Sequence, residues 1–334
     1  MQDIASESKN ERPFQILSLS GGGFLGLFSA LLLEKLEDRF GSPLANHFDL
    51  ICGTSVGGII ALGLAAEESA SDIRKALEMH GPRIFPTPFK RSLSLFRPMY
   101  KPEPLRDAII EIVGQTMVLG DLQSRVLVPT VNLTKGGPSI FKTPHHPDLS
   151  ENWRRTVVEV AMATSAAPTM FPTAVVGHST YTDGGLFANS PDLLGALEAE
   201  KFLGVERGNI SVLSIGTTTN RFSFESGDNR KGILPWLAGL RVFNVMISSQ
   251  QQAVHHMMEH SYGDRYVRLD YEPSPEQSKG LRLDIANRKS IDTQKGLAET
   301  VFQNAIPDRR LMSFFETQAP KPTFFHGPQA SGQM

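Results

Sequence analysis

The stretch FDLICGTSVGGIIALGLAA, residues 48–66, carries a Gly-x-Ser-x-Gly pentad, Gly53 to Gly57, and is uncharged from Leu50 onward. An uncharged run invites a membrane-spanning reading. This one is shorter than the about 20 apolar residues a helix needs to cross a bilayer, and glycines, Thr54 and Ser55 interrupt it. The remaining reading is a buried strand, FDLIC, a tight turn, and a helix opening at SVGG. That turn is the one on which Gly-x-Ser-x-Gly exposes a serine hydroxyl. With the strand and helix that precede it, this unit makes β-α-β-α in the first 66 residues, the mark of an α/β layered fold.

The neighbouring sequence repeats the unit. FQILSLS (14–20) reads as a strand that runs into Gly21-Gly22-Gly23, and GLFSALLLEKLEDRF (26–40) as a helix stopped by Gly41, Ser42 and Pro43. Helices are expected over 70–80, 102–113, 153–167, 191–201, 234–260 and 292–304. Strands are expected at 124–133, paired with 138–143 across Gly136-Gly137, and at 210–217 and 264–270, with a strand end and turn at 179–185. Ser190 is the expected N-cap of the 191–201 helix, with Pro191 at its first position. The expected fold class is α/β: three layers around a mainly parallel central sheet. Residues 1–12 read as a flexible arm, 13–310 as one domain with elaborations from about 220, and 311–334 as a loose tail.

Charge is balanced, with 33 basic and 35 acidic side chains, so it gives no support for binding a nucleic-acid polymer. The single cysteine, Cys52, excludes an intrachain disulfide and suits a reducing compartment. The start, MQDIASESKNERP, is polar and mixed in charge, unlike a signal or transit peptide.

Three short motifs carry chemistry. Gly21-Gly22-Gly23-Phe24-Leu25-Gly26 leaves backbone N–H groups open at a helix start, suited to a phosphate or an oxyanion. A dinucleotide-binding turn fits the same glycines, but it wants an acidic residue at the end of the second strand. Here that strand delivers Ser55. The second motif is Gly53-Thr54-Ser55-Val56-Gly57. The third is Asp183-Gly184-Gly185, which on its own reads as an ordinary turn. If Ser55 is a nucleophile, something must take its proton. His178, His255, His256, His260 and His326 lie downstream, none in a recognisable catalytic turn, and no histidine pair shows metal-ligand spacing. A histidine base stays open; an aspartate held close to the hydroxyl can do the same work.

Taken together, the motifs resemble the patatin-like phospholipase family. GGGFLG looks like its oxyanion motif, GTSVG its nucleophile elbow and DGG its aspartate motif; ATSAAPTMFP (163–172) and Asn189-Ser190-Pro191 also fit, over roughly residues 14–217. The resemblance implies a Ser55–Asp183 dyad without histidine, an oxyanion hole at Gly21, Gly22 and Gly23, motif glycines at Gly26, Gly53, Gly57, Gly184 and Gly185, hydrolysis of lipid acyl esters through an acyl-enzyme, and no metal or organic cofactor. Ser20 departs from the Asp or Asn many members carry there, which is expected to affect the turn only.

More narrowly, LVPTVNL, IFKTPHHPD and ATSAAPTMFP look like bacterial patatin phospholipases of antiphage defence. Those are switched on by a cyclic dinucleotide such as cyclic GMP–AMP and degrade the cell's own membrane lipids. That resemblance implies a cytoplasmic protein acting at the inner face of the membrane, with homo-oligomers allowed. Alternatives are a constitutive lipase or esterase, and a catalytically silent protein that holds a phosphate ligand. Lys142, His145, Arg154 and Arg155, from a basic stretch, are candidate ligand contacts. Residues 83–101 combine four aromatics, three prolines and five bases without an acid. Phe85, Phe89 and Phe96 are the candidate membrane-docking side chains.

Overall fold

Two apolar runs at the start of the chain form adjacent parallel strands, β1 (Phe14–Leu19) and β2 (Leu50–Gly53), in the middle of an eight-stranded sheet. The computed structural model describes residues 12–41, 43–86, 97–218 and 241–330. The other strands are β3 (Val126–Asn132), β4 (Gly137–Lys142), β5 (Ala174–Val176), β6 (Ser179–Asp183), β7 (Ile210–Ile215) and β8 (Tyr266–Leu269). Their order is β5-β6-β3-β2-β1-β7-β8, with β4 also on β3. From β3 through β8 the path is parallel, whereas β4, β5 and β6 join antiparallel.

Alternation along the strands sorts the core into two layers. Leu17, Leu19, Ile51, Val126, Val128 and Leu213 face the larger one, packed by α1 (Gly26–Phe40), α2 (Val56–Ala65), α3 (Ala70–Ile84), α4 (Glu103–Val113) and α5 (Val157–Thr164). Ile16, Leu50, Cys52, Leu127 and Val212 face the opposite side. After the single turn α6 (Gly185–Ala188), the long helices α7 (Asp192–Phe202) and α8 (Arg241–Tyr262) cover that side. Three layers with a mainly parallel sheet is the expected architecture. Among the described residues no helix is long and apolar enough to cross a membrane.

Boundaries differ where side chains compete for backbone groups. α5 starts at Val157, not 153, because Thr156 and Glu159 form a reciprocal capping box there. α7 starts at Asp192, and the Ser190 hydroxyl does not cap it; Ser190 Oγ pairs with Ser20 Oγ at 2.8 Å. The stretch expected as a loose tail is packed through residue 330. Phe314, Phe315 and Phe324 are buried, Phe315 stacks on Phe40 at 4.1 Å, and Phe325 N–H donates to the Pro144 carbonyl. At the other end Arg12 binds Asp49 at 2.5 Å and the His47 carbonyl at 2.6 Å; the rest of the expected arm lies outside the described residues.

One edge of β3 positions the site. Ile51 of β2 donates to the Arg125 carbonyl at the start of that edge, and Leu133 donates to the Thr180 carbonyl of β6 at its far end. β2 and β6 therefore share an edge, one taking over where the other stops. Pro129 sits at the changeover, where its missing N–H removes no ladder bond.

The elbow packs just as closely. A Cβ on Gly57 would lie 2.3 Å from the Leu19 carbonyl oxygen, and one on Gly53 2.1 Å from the Gly57 oxygen. Gly57→Ala is therefore expected to lower unfolding stability by roughly 3 kcal/mol or more. Gly296→Ala, with nothing within 4 Å on an exposed helix face, should leave it unchanged or raise it by up to about 1 kcal/mol. Urea denaturation of the two variants checks the contrast; equal midpoints would contradict the close packing of the elbow.

Candidate active site

Ser55 stands between β2 and α2 with φ 56° and ψ −126°, a conformation L-residues adopt only where surroundings force it. Its N–H donates to Thr164 Oγ1 at 3.0 Å, and that hydroxyl donates onward to the Pro129 carbonyl at 2.7 Å. The elbow is thus tied to the changeover point of β3. Ser55 Oγ donates to Asp183 Oδ2 at 2.8 Å.

Asp183 ends β6 and is only 3% exposed. Its other oxygen accepts the Gly185 N–H at 2.7 Å, and its own N–H donates to the Ala166 carbonyl at 3.1 Å. Gly184 lets the chain pass; a Cβ there would lie 2.2 Å from the Pro129 oxygen. Burial pushes the Asp183 carboxyl up from 3.8 to about 6, against the lowering effects of the Gly185 N–H and the Ser55 hydroxyl.

The glycine turn lies beside this pair, with one correction to the expected oxyanion hole. Gly21 N–H donates to the Asn189 carbonyl at 2.9 Å and is not open. The Gly22 and Gly23 N–H groups have no acceptor among the described residues. Gly23 has φ +53°, and a Cβ on it would lie 2.4 Å from the Leu283 carbonyl oxygen. The Gly21 carbonyl is held by Asn189 Nδ2 at 3.1 Å and Thr217 Oγ1 at 3.0 Å. Gly26 abuts Val56, so the two helix starts converge.

A cavity of about 350 Å³ opens from Ser55 and Asp183. Phe24, Ile59, Leu77, Phe85, Met170 and Phe171 give it an apolar wall; Asn189, Thr217, Ser248, Gln251 and Arg282 line its polar part. No histidine among the described residues lines it, so the geometry supplies an aspartate and not an imidazole beside Ser55. His255 lies by Ser190, at 3.4 Å, with its pKa lowered to about 4, chiefly by burial.

Other expected residues sit elsewhere. Phe85 is 9% exposed and packs edge-on against Phe24, Tyr100 and Phe171, so it is a cavity wall and not a membrane anchor. Phe89 and Phe96 lie outside the described residues. Lys142 and His145 converge on buried Glu198, at 2.5 and 2.9 Å, and Lys142 also lies over the Phe202 ring. His145 uses its second nitrogen on Thr143, and burial lowers its pKa. Both are held inside the fold by Glu198. Arg154 is exposed and stacked on Trp153, and Arg155 crosses Gly177. Thr164, Asn189, Thr217 and Leu283 join the site in addition to the expected residues. The first two lie in segments that resemble family motifs; Thr217 and Leu283 have no local signal.

Comparison with known proteins places relatives along nearly the whole chain. The family described as patatin-like phospholipase matches residues 17–192. A cGAMP-activated phospholipase of Pseudomonas aeruginosa (strain BWHPSA011 / Pa011) is 40% identical over 94% of this chain and 96% of its own length. Proteins of the same description from Vibrio cholerae serotype O1 and Escherichia coli (strain TW11681) are 34% and 32% identical. They cover 92% and 96% of this chain, and 96% and 97% of their own lengths.

The raised Asp183 pKa has a stability consequence. Between about pH 4 and pH 6 the folded chain holds a proton that the unfolded chain has released. Stability therefore falls as pH rises through that window, and the whole penalty is present above about 6. Asp183→Asn is expected to melt at a higher temperature than wild type at pH 8, with the gap closing as pH falls toward 4. Thermal unfolding across pH 4–8 reads this directly; a gap independent of pH would show that the carboxyl is not raised.

Proposed function

The chain belongs to the patatin-like phospholipase family, and on that footing we propose that it hydrolyses membrane phospholipid esters with Ser55 as nucleophile and Asp183 as base, under the control of a cyclic dinucleotide. The observation that carries the chemistry is the 2.8 Å contact between Ser55 Oγ and a buried carboxylate at the head of an apolar cavity.

Asp183, with its pKa near 6, is ionised at neutral pH yet basic enough to take the serine proton as attack begins. Ser55 Oγ adds to the acyl carbon, and the oxygen that gains charge faces the open N–H groups of Gly22 and Gly23. Asp183 returns its proton to the departing alcohol. The same carboxylate then activates the water that releases the fatty acid. The apolar wall accommodates the acyl chain, so burial of the lipid tail contributes to binding.

Control by cyclic GMP–AMP is supported by the three relatives of that description, each aligned over more than nine-tenths of this chain. Lys142 and His145 are set aside as activator contacts, because both are engaged with Glu198. Contact with the bilayer is peripheral in this reading, at the inner face of the membrane, where unchecked hydrolysis would destroy the cell's own lipids.

Purified protein added to phospholipid vesicles, with and without a panel of cyclic dinucleotides, is expected to release fatty acid only with its activator. Equal release without one would leave a constitutive lipase. Ser55→Ala and Asp183→Ala should each lower turnover by about a thousandfold or more while keeping the fold; near-native turnover in Asp183→Ala would remove the dyad. In wild type, kcat/KM should drop about tenfold per pH unit below about 6, as Asp183 becomes protonated.

A further inference from the structure

Thr164, Ser165 and Ala166 are consecutive, and the outer two hold both members of the catalytic pair. Thr164 Oγ1 accepts the Ser55 N–H, and the Ala166 carbonyl accepts the Asp183 N–H. That carbonyl also accepts the Thr182 hydroxyl at 2.7 Å, which fixes the last residues of β6. Between them Ser165, at the C-terminal end of α5, lines the cavity that contains Ser55 and Asp183. It is 6% exposed, and its Oγ is buried without a hydrogen-bond partner among the described residues.

A buried hydroxyl left unpaired is unfavourable, and alanine would fill nearly the same space without that cost. Native structures leave few such groups, and one on a residue that lines a substrate cavity points to a partner that arrives with the substrate. The Gly22 and Gly23 N–H groups of the β1–α1 turn suit the carbonyl oxygen, and Asp183, once it has taken the Ser55 proton, must hand it to the leaving oxygen. That oxygen has to lie beside Asp183 and the 164–166 segment that holds it.

Resting on the hydrolase reading above, we propose that Ser165 Oγ–H donates a hydrogen bond to the alcohol oxygen of the scissile ester. In the acylation step the Ser55 Oγ–acyl carbon bond forms as the serine proton passes to Asp183. The acyl carbon–alcohol oxygen bond then breaks, and the proton moves from Asp183 to the departing oxygen. Ser165 keeps its own proton throughout and stabilises the charge on that oxygen while the bond breaks. Ser165 is thus a catalytic residue with leaving-group selectivity.

The test compares wild type and Ser165→Ala, with cyclic GMP–AMP present, on a p-nitrophenyl ester and a glycerol monoester of the same fatty acid. A nitrophenolate departs without help, whereas a glycerol oxygen needs the donor. The variant is expected to lose about tenfold or more in kcat/KM on the glycerol ester and less than about twofold on the p-nitrophenyl ester. Its melting temperature should equal or exceed that of wild type. Ser165→Thr, which keeps a hydroxyl, should retain the wild-type ratio between the two esters. That ratio does not depend on the fraction of folded enzyme, so poor folding cannot imitate the result. Equal losses on both esters, or no loss on either, would overturn the assignment. A wild-type protein that cleaves neither ester would instead overturn the hydrolase reading itself.

Discussion

Along one edge of β3 the hydrogen bonds pass from β2 to β6, and the site exists because of that exchange. β2 runs parallel to β3 and stops at Gly53, while β6 arrives antiparallel and stops at Asp183. Two strand ends meet head-on in the gap, one carrying the hydroxyl and the other the carboxylate. Pro129 lies there because a proline cannot donate into either ladder, and its carbonyl anchors the Thr164 hydroxyl that fixes the elbow. If β6 paired one residue further along, Asp183 would face the other side of the sheet and could not reach Ser55.

Unfavourable features gather around the same gap. Ser55 has a positive φ, Asp183 is a carboxylate with its charge buried, and among the described residues the Gly22 and Gly23 N–H groups and the Ser165 hydroxyl have no partner. Each costs on the order of 1–3 kcal/mol, and such sites persist only where the rest of the fold holds them. The holding is visible: Gly53 and Gly57 bring the elbow against β1, Asn189 and Thr217 clamp the Gly21 carbonyl, and the Leu283 carbonyl secures Phe24. A site built to receive charge on an oxygen has to keep donors and acceptors unsatisfied until substrate enters.

The sequence was least informative where a residue's partner lies far along the chain. Lys142 and His145 stand in a stretch without acids, and local reading makes them candidate ligand contacts. Glu198, more than fifty residues on, binds both. Phe85 follows the same logic: among prolines and bases it reads as a surface aromatic, yet Phe24 and Phe171 enclose it. Gly21 was grouped with Gly22 and Gly23 because nothing local distinguishes three consecutive glycines, but only Gly21 lies under the Asn189 carbonyl. The polar C-terminal stretch looked unable to pack, and a few phenylalanines meeting Phe40 and Phe48 were sufficient.

By itself the sequence determined the local units: the apolar strands, the helices behind them, and the glycine-flanked serine that can stand only on a strand-to-helix turn. These follow from the period of hydrophobic residues and from sterics within a few residues, which need no knowledge of distant neighbours. Resemblance to a family added Asp183 as the candidate partner. The tertiary structure decided which groups actually meet: Asp183 beside Ser55, Thr164 and Ala166 holding that pair, and, among the described residues, Gly22 and Gly23 open where Gly21 is closed and the hydroxyl of cavity-lining Ser165 without a partner. Those facts depend on strand order and on burial, and burial alone is what raises the Asp183 carboxyl to about 6. A desolvation energy is a property of everything packed around a group, so no stretch of sequence contains it.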